Sequence, residues 1–184
     1  MKKFTCALVA LLAAVLFLPA STVAAASLPE RASVRDAPND VVGHTPGQAS
    51  IDLLRVTGWR SGNFLYGRML ARNVLPGAHS TQQFVLWLRT RSGVLYVTTA
   101  KNGVLNEPPV RPGRDSLCGI EDVTLNWNVT ANVVQFKMPM SCFKERPVAW
   151  QVGGISSFGT RAQSWDQTGS ETLAKFSPFF ASTP

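Results

Sequence analysis

Apolar and polar residues alternate in short runs along most of the chain. The alternation is most regular over residues 123–138, where it continues on both sides of a turn at residues 130–132. Successive side chains of a strand point to opposite faces of a sheet, so a period of two indicates strands with one buried face. This segment predicts two antiparallel strands, the second ending at Pro139 because proline lacks a backbone donor.

Other runs have the same period and are separated by turn residues such as Gly, Asn and Ser. They span residues 51–57, 64–71, 82–90, 94–100 and 148–152. After residue 26, only a short turn at residues 171–176 resembles the helical period. About seven to nine short strands with turns between them indicate an antiparallel sandwich or barrel. We predict an all-β fold, an antiparallel β-sandwich that is immunoglobulin-like or jelly-roll-like.

The first residues have the three parts of a secretory signal peptide. Lys2 and Lys3 are followed by an apolar stretch from Ala7 to Leu18 and by small residues at positions 22–26. We expect a secreted, extracellular protein, which is free or associated with the cell envelope. The chain is divided into a signal peptide (1–26), an extended N-terminal arm (27–48), a β-sandwich domain (49–168) and a C-terminal tail (169–184).

Charge narrows the class of partner. The chain has 184 residues and a formal net charge of +7; removal of the first 26 leaves 158 residues and, without Lys2 and Lys3, a net charge of +5. This excess favours anionic partners such as cell-wall polymers or acidic lipid surfaces. The alternative is ordinary surface charge in contact with water. An exported chain without a basic-aromatic motif is not expected to bind nucleic acid. The mature part has no apolar run of about 18 residues, so we expect no transmembrane segment in it.

Two cysteines remain in the predicted mature chain, Cys118 and Cys142. Cys118 lies 13 residues before Ala131 and Cys142 lies 11 residues after it, so a hairpin turning there brings them to nearly the same level. Neighbouring antiparallel strands are about 4.5–5.5 Å apart, within the reach of a disulfide. An even number of cysteines in an oxidising compartment predicts a Cys118–Cys142 bridge.

Acidic residues provide a candidate metal site. Asp36, Asn39 and Asp40 lie on one short loop that contains Pro38, and Asp52 and Asp166 are candidates to join them in space. Their oxygens are the hard ligands that calcium prefers, so calcium is the candidate ion. The alternative is turn chemistry, in which Asp and Asn side chains bond their own backbone.

Aromatic residues provide a candidate sugar-binding site. Trp59 and Trp165 lie at strand ends or in loops, where an aromatic ring is able to stack on a sugar. Packing at the edge of the core is the alternative for both. The corresponding partner is a cell-wall or extracellular polysaccharide.

No catalytic residue can be assigned from the sequence. His44 and His79 are the two histidines, and both lie in loop-like segments. The chain has no Gly-x-Ser-x-Gly element and no glycine-rich phosphate loop before a helix. We therefore favour a non-enzymatic binding module. The alternatives are a secreted hydrolase with carboxylates dispersed along the chain and a protein-interaction module that uses an exposed strand edge.

Several short motifs occur in an order that resembles uncharacterised secreted proteins of actinobacteria. These motifs are Asp36-Ala37-Pro38-Asn39-Asp40, Asp52 before an apolar strand, the Pro139–Phe143 element and Trp165-Asp166. In this group Gly is common where Asn39 stands, and Leu is common where Phe143 stands. More remotely, the chain is similar to the β-sandwiches of family-nine carbohydrate-binding modules and DOMON domains. The resemblance implies a β-sandwich and secretion, and implies no activity.

Overall fold

The computed structural model describes residues 28–43, 48–77, 81–144, 149–159, 164–170 and 173–181. The predicted signal peptide lies outside these ranges. Two antiparallel sheets pack face to face, which confirms the predicted all-β sandwich. The strands are, in chain order, β1 (Arg31–Arg35), β2 (Leu53–Ser61), β3 (Phe64–Ala71), β4 (Gln83–Thr90), β5 (Leu95–Lys101), β6 (Val104–Val110), β7 (Thr124–Asn128), β8 (Val133–Pro139), β9 (Ala149–Phe158), β10 (Ser164–Gln167), β11 (Gly169–Ser170), β12 (Leu173–Ala174) and β13 (Phe180–Ala181).

The first sheet has the strand order β1-β2-β3-β8-β7, and the second has the order β10-β9-β4-β5-β6, with β13 also paired to β9. β11 and β12 form a separate two-stranded ladder. Short 3₁₀ helices span Gln48–Ile51, Ile120–Asp122 and Met140–Cys142. The first of these precedes β2, so it lies next to the acidic residue Asp52.

The core fills the space between the two sheets. Leu65, Met69 and Phe136 project from the first sheet, and Leu86 and Trp150 from the second; all are fully buried. At one point the sheets approach so closely that only glycine fits. A Cβ atom built on Gly67 would lie 2.1 Å from Leu86 Cδ2, well inside van der Waals contact.

Both sheets extend beyond the expected domain limits of 49 and 168. Residues 31–35, expected within the extended arm, form β1 and pair in register with Arg55–Trp59 of β2. Phe180, expected within the tail, pairs with Trp150 through β13 and is fully buried. Where residues 171–176 suggested a helical turn, Leu173–Ala174 form β12. The physical reason in each case is that a neighbouring strand provides the backbone partners that a short segment lacks.

The predicted disulfide joins Cys118 to Cys142, with 5.0 Å between the two Cα atoms. It closes the open end of the β7–β8 hairpin, whose register pairs Thr124 with Lys137. Cys142 is buried and belongs to the hydrophobic core. The bridge therefore holds the segment that precedes β7 against the core.

Candidate functional site

The loop after β1 is held between the two sheets. The backbone N–H of Asp36 donates to Leu54 O (3.2 Å), and Val42 and Trp165 exchange two backbone hydrogen bonds (2.9 and 3.0 Å). Between these points the chain turns at Asn39, whose φ of 68° lies in the left-handed region that Asn tolerates. The turn brings Asp40 back towards Asp36 and towards the residue after Trp165.

That next residue, Asp166, completes a cluster of three carboxylates. Each of Asp36, Asp40 and Asp166 offers an oxygen, and these oxygens lie within 4.8 Å of one another. We call these three residues the acidic cluster. Asp166 is 2% exposed, whereas Asp36 is half-buried and Asp40 is exposed. Three of the five predicted metal-site residues are thus brought together, although 130 positions separate Asp36 from Asp166.

Asp52 lies beside the acidic cluster and has a cationic partner. Its side chain is 1% exposed, and its Oδ2 is 2.7 Å from Arg72 Nη2 and accepts hydrogen bonds from Arg72 Nε (2.8 Å) and from the backbone N–H of Asn39 (3.0 Å). Asn39 therefore contributes its backbone N–H, and not its side chain, to this contact with Asp52, which lies 13 positions along the chain. Sequence reasoning identified the acid and missed its partner, since no spacing connects Asp52 to Arg72.

Backbone donors bind part of the cluster. The N–H of Gly169 donates to Asp36 Oδ1 (2.9 Å), and the N–H of Leu53 donates to Asp166 Oδ2. Two further carboxylate oxygens, Asp36 Oδ2 and Asp52 Oδ1, are buried and have no hydrogen-bond partner. Buried polar atoms in folded proteins are generally hydrogen-bonded, so each of these oxygens requires a physical explanation.

Burial and mutual repulsion change the proton affinity of the acidic cluster. The pKa of Asp36 is raised to about 6, mainly by burial and also by the nearby charges of Asp40 and Asp52. Hydrogen bonds from the backbone of Gly169 and Ala37 oppose this rise. The pKa of Asp166 is raised to about 7, mainly by burial and also by the charges of Asp36, Asp40 and Asp52. The hydrogen bond from the backbone of Leu53 opposes this rise. Asp36 and Asp166 therefore keep their protons to a higher pH than an aspartate in water does.

A second candidate surface is the solvent-facing side of the first sheet. Alternation and cross-strand register determine which side chains share it. We call this surface the outer face; its residues are Arg31, Ser33, Arg35, Arg55, Thr57, Trp59, Ser61, Phe64, Tyr66, Arg68, Leu70, Thr124, Asn126, Asn128, Gln135, Lys137 and Pro139.

The outer face is basic. It contains four arginines and Lys137, and none of its residues is acidic. Arg35 and Arg55 occupy directly opposite positions on β1 and β2, and Arg68 lies diagonally across from Arg55 on β3. In the part of the chain that the structure describes, no carboxylate forms a salt bridge with any of these five cations. A depression of about 350 Å³ opens between Arg31, Arg55 and Arg68.

Trp59 stands at the centre of a row across the outer face. Its ring is parallel to that of Tyr66, with 5.0 Å between the ring centroids and 4° between the planes. Arg31 Cζ lies 4.6 Å from the Trp59 ring centroid. Because β1 and β3 flank β2 on opposite sides, Arg31 and Tyr66 cover opposite faces of the indole. A sugar ring is unable to stack on either face of Trp59 without displacing one of them.

Trp165, the other aromatic candidate, lies in the second sheet on β10, where it is half-buried and its backbone pairs with Val42. The two tryptophans therefore do not form a common platform. The charged residues of the outer face were not recognised as a set from the sequence, because the set depends on β1 and its register. The alternation Arg31-Ala32-Ser33-Val34-Arg35 was the signal that could have identified it.

The carboxylates of the acidic cluster do not line any of five depressions on the described surface. These depressions, of about 290–560 Å³, lie at the β5–β6 and β4–β5 side of the second sheet, at the β2–β3 turn and on the outer face. A hydrolase requires a cleft in which the substrate reaches its carboxylates. None of these five depressions supports a hydrolase site at the acidic cluster.

Comparison with known proteins gives no family assignment: no model of a known protein family matches the chain, and no curated protein matches it. Among the described residues, no helix is long and apolar enough to cross a membrane.

Proposed function

We propose that this protein is an extracellular, non-enzymatic binding module that holds an anionic polysaccharide on the outer face. The observation that carries the proposal is the direct apposition of Arg35 and Arg55 on a face with five cations and no acid. Like charges directly opposite each other on paired strands destabilise a sheet. An anion bound between the two guanidinium groups removes this repulsion.

The chemistry of the outer face fits a polymer that bears carboxylate, sulfate or phosphate groups. Guanidinium groups bind such anions through two parallel N–H donors, which adds geometry to the charge. The hydroxyl and amide groups of Thr57, Gln135 and Asn126 lie among the cations on the same face. They are suited to the neutral hydroxyls of a sugar chain. The face therefore offers both kinds of contact that an acidic glycan requires.

Trp59 has a supporting role in this proposal. Its indole lies between Tyr66 and Arg31, so it restricts the position of the Arg31 guanidinium through a cation–π contact. The ring of Phe64 makes a similar cation–π contact with Lys137, whose Nζ lies 4.1 Å from the ring centroid. Holding a long cationic side chain in place before binding lowers the entropy that binding costs.

The test compares polysaccharides with and without charge. Polygalacturonate, dextran sulfate and purified teichoic acid are run in affinity electrophoresis beside neutral dextran and soluble cellulose derivatives. We expect retardation by at least one anionic polymer and no retardation by the neutral ones. Retardation by the neutral polymers alone, or by none, overturns the proposal.

Two double variants show whether the outer face is responsible. Arg55→Gln with Arg68→Gln removes two charges from the outer face. Arg91→Gln with Arg114→Gln removes the same charge from exposed positions in the connections of the second sheet. We expect the first variant to lose retardation by the anionic polymer and the second to keep it. Equal losses in both variants would show that net charge alone causes the binding.

A further inference from the structure

We propose that Asp36, Asp40 and Asp166 bind a calcium ion that connects the loop after β1 to the two sheets. The first observation is their convergence, since one oxygen from each of the three carboxylates lies within 4.8 Å of the others. A separation of this size is what oxygens on one ion have, because Ca²⁺–oxygen distances are about 2.3–2.6 Å. The proposal is independent of the outer face.

The second observation is that this region contains buried carboxylate oxygens without donors. Asp36 belongs to the acidic cluster; Gly169 donates to its Oδ1, and its Oδ2 is buried and receives no hydrogen bond. Asp52, 1% exposed, is held against the same loop by the N–H of Asn39, and its Oδ1 likewise has no partner. A cation bound beside these oxygens would supply the partner that they lack.

The charges around the site also require a cation. Asp36, Asp40 and Asp166 place three carboxylate oxygens within 4.8 Å of one another, and Asp52 is hydrogen-bonded to the same loop through the N–H of Asn39. The salt bridge described in this region joins Arg72 to Asp52 and leaves the carboxylates of the acidic cluster without a cationic partner among the described residues. A divalent ion between these three compensates most of the remaining negative charge.

The ligand set identifies the class of ion. All donors are carboxylate oxygens, whereas zinc and copper favour His nitrogen and Cys sulfur. Calcium accepts six to eight oxygens in irregular arrangements and keeps bound waters, while magnesium requires nearly ideal octahedral geometry. The three ligands come from a turn and a strand, and exposed Asp40 leaves one side open to water. This irregular, half-open arrangement fits calcium better.

Such an ion would join distant parts of the chain. Asp36 and Asp40 are on the loop after β1 in the first sheet, and Asp166 is on β10 in the second. Asp166 also accepts a hydrogen bond from Leu53 at the start of β2. Binding of calcium to the folded protein alone therefore stabilises this contact between sheets, by an amount that rises with the logarithm of the calcium concentration above the dissociation constant.

The test uses calcium chloride titrated into the chelator-treated protein by isothermal calorimetry, with thermal unfolding in calcium and in EGTA alongside. Asp40→Asn is the main variant, because Asp40 is exposed and the amide has nearly the same shape, so we expect the variant to fold. Asp115→Asn, also exposed and outside the site, is the matched control. We expect one saturable calcium site, a higher unfolding midpoint in calcium than in EGTA, and unchanged binding by the control.

For Asp40→Asn we expect affinity to fall by at least about 10–100-fold, the loss typical even for outer partners of a metal ligand. Equal unfolding midpoints of the wild type in calcium and EGTA, with no saturable heat up to about 10 mM calcium, overturn the proposal, because extracellular sites bind at about 0.1–1 mM. Unchanged affinity in Asp40→Asn overturns it as well. Equal affinity for magnesium chloride would overturn the choice of calcium.

Discussion

Arg72 directs both of its contacts at a single oxygen of Asp52. Its Nε and Nη2 lie 2.8 and 2.7 Å from Oδ2, while Oδ1 of the same carboxylate is buried without a partner. The backbone adds a further link, as Arg72 N–H donates to Asp52 O at 2.8 Å. Asp52 is therefore anchored on the side of Arg72 and lacks a partner on its other oxygen. Asp52 therefore belongs to an ion pair with Arg72, whereas the neighbouring acidic cluster has no such cation among the described residues.

Replacing Arg72 by Gln should destabilise the protein. The variant leaves the Asp52 carboxylate buried without a cation, at a cost of about 1–3 kcal/mol for an unsatisfied buried group. The loss stays below that of a fully buried pair because the Arg72 side chain is 42% exposed. Urea unfolding at neutral pH measures it, with Arg114→Gln as the control for loss of one exposed arginine. Equal stabilities of the two variants would show that the pair contributes nothing.

Stability in the absence of divalent ions should fall as the pH rises. The pKa values of Asp36 and Asp166 are raised from 3.8 to about 6 and about 7, so the folded state binds protons that the unfolded chain releases. Their contribution is complete below pH 3.8 and is lost as the pH rises through these two values. In EGTA, the unfolding midpoint should decrease from about pH 5 to about pH 8.

Asp166→Asn is the control for that pH dependence. The amide carries no charge at any pH, so the part of the decrease due to Asp166 should disappear from the variant. A decrease as steep in Asp166→Asn as in the wild type would place its origin elsewhere in the chain. Calcium should raise the midpoint most at the upper end of the pH range, where the carboxylates are ionised.

Removing the disulfide should cost a large part of the stability. The bond closes a loop with a sequence separation of 24 between Cys118 and Cys142. For such a loop the chain-entropy argument gives about 3–4 kcal/mol. Unfolding of Cys118→Ala/Cys142→Ala by urea measures the loss, and the wild type in reductant is the matched comparison. If neither treatment lowers the free energy of unfolding, the bridge does not constrain the unfolded chain.

The period of two in the sequence was sufficient to predict the strongest strands but not the short strands near the two ends of the described chain. The β7–β8 hairpin and its disulfide follow directly from the alternation around residue 131 and from the positions of Cys118 and Cys142. β1 is less visible, because its two inward residues, Ala32 and Val34, are small and prolines precede and follow it. Its partner β2, more than the residues of β1 themselves, makes it a strand.

The candidate site was predicted in part for the same reason. The Asp-rich loop is visible in the sequence, but the position of Asp166 depends on how β10 pairs with β9 and with Val42. Trp59 was identified as a candidate from its position near a strand end. That its ring is covered on both faces depends on the register of three strands, which no spacing within the sequence specifies.

The salt dependence of polysaccharide affinity tests the central proposal most directly. Each cation that contacts the polymer steepens the fall of affinity with ionic strength, because binding releases counterions from a polyanion. The measurement compares the wild type, Arg55→Gln/Arg68→Gln and Arg91→Gln/Arg114→Gln on the same anionic polymer. We predict a shallower salt dependence and weaker binding for the outer-face variant, with the control variant like the wild type. The same salt dependence in both variants would contradict binding at the outer face.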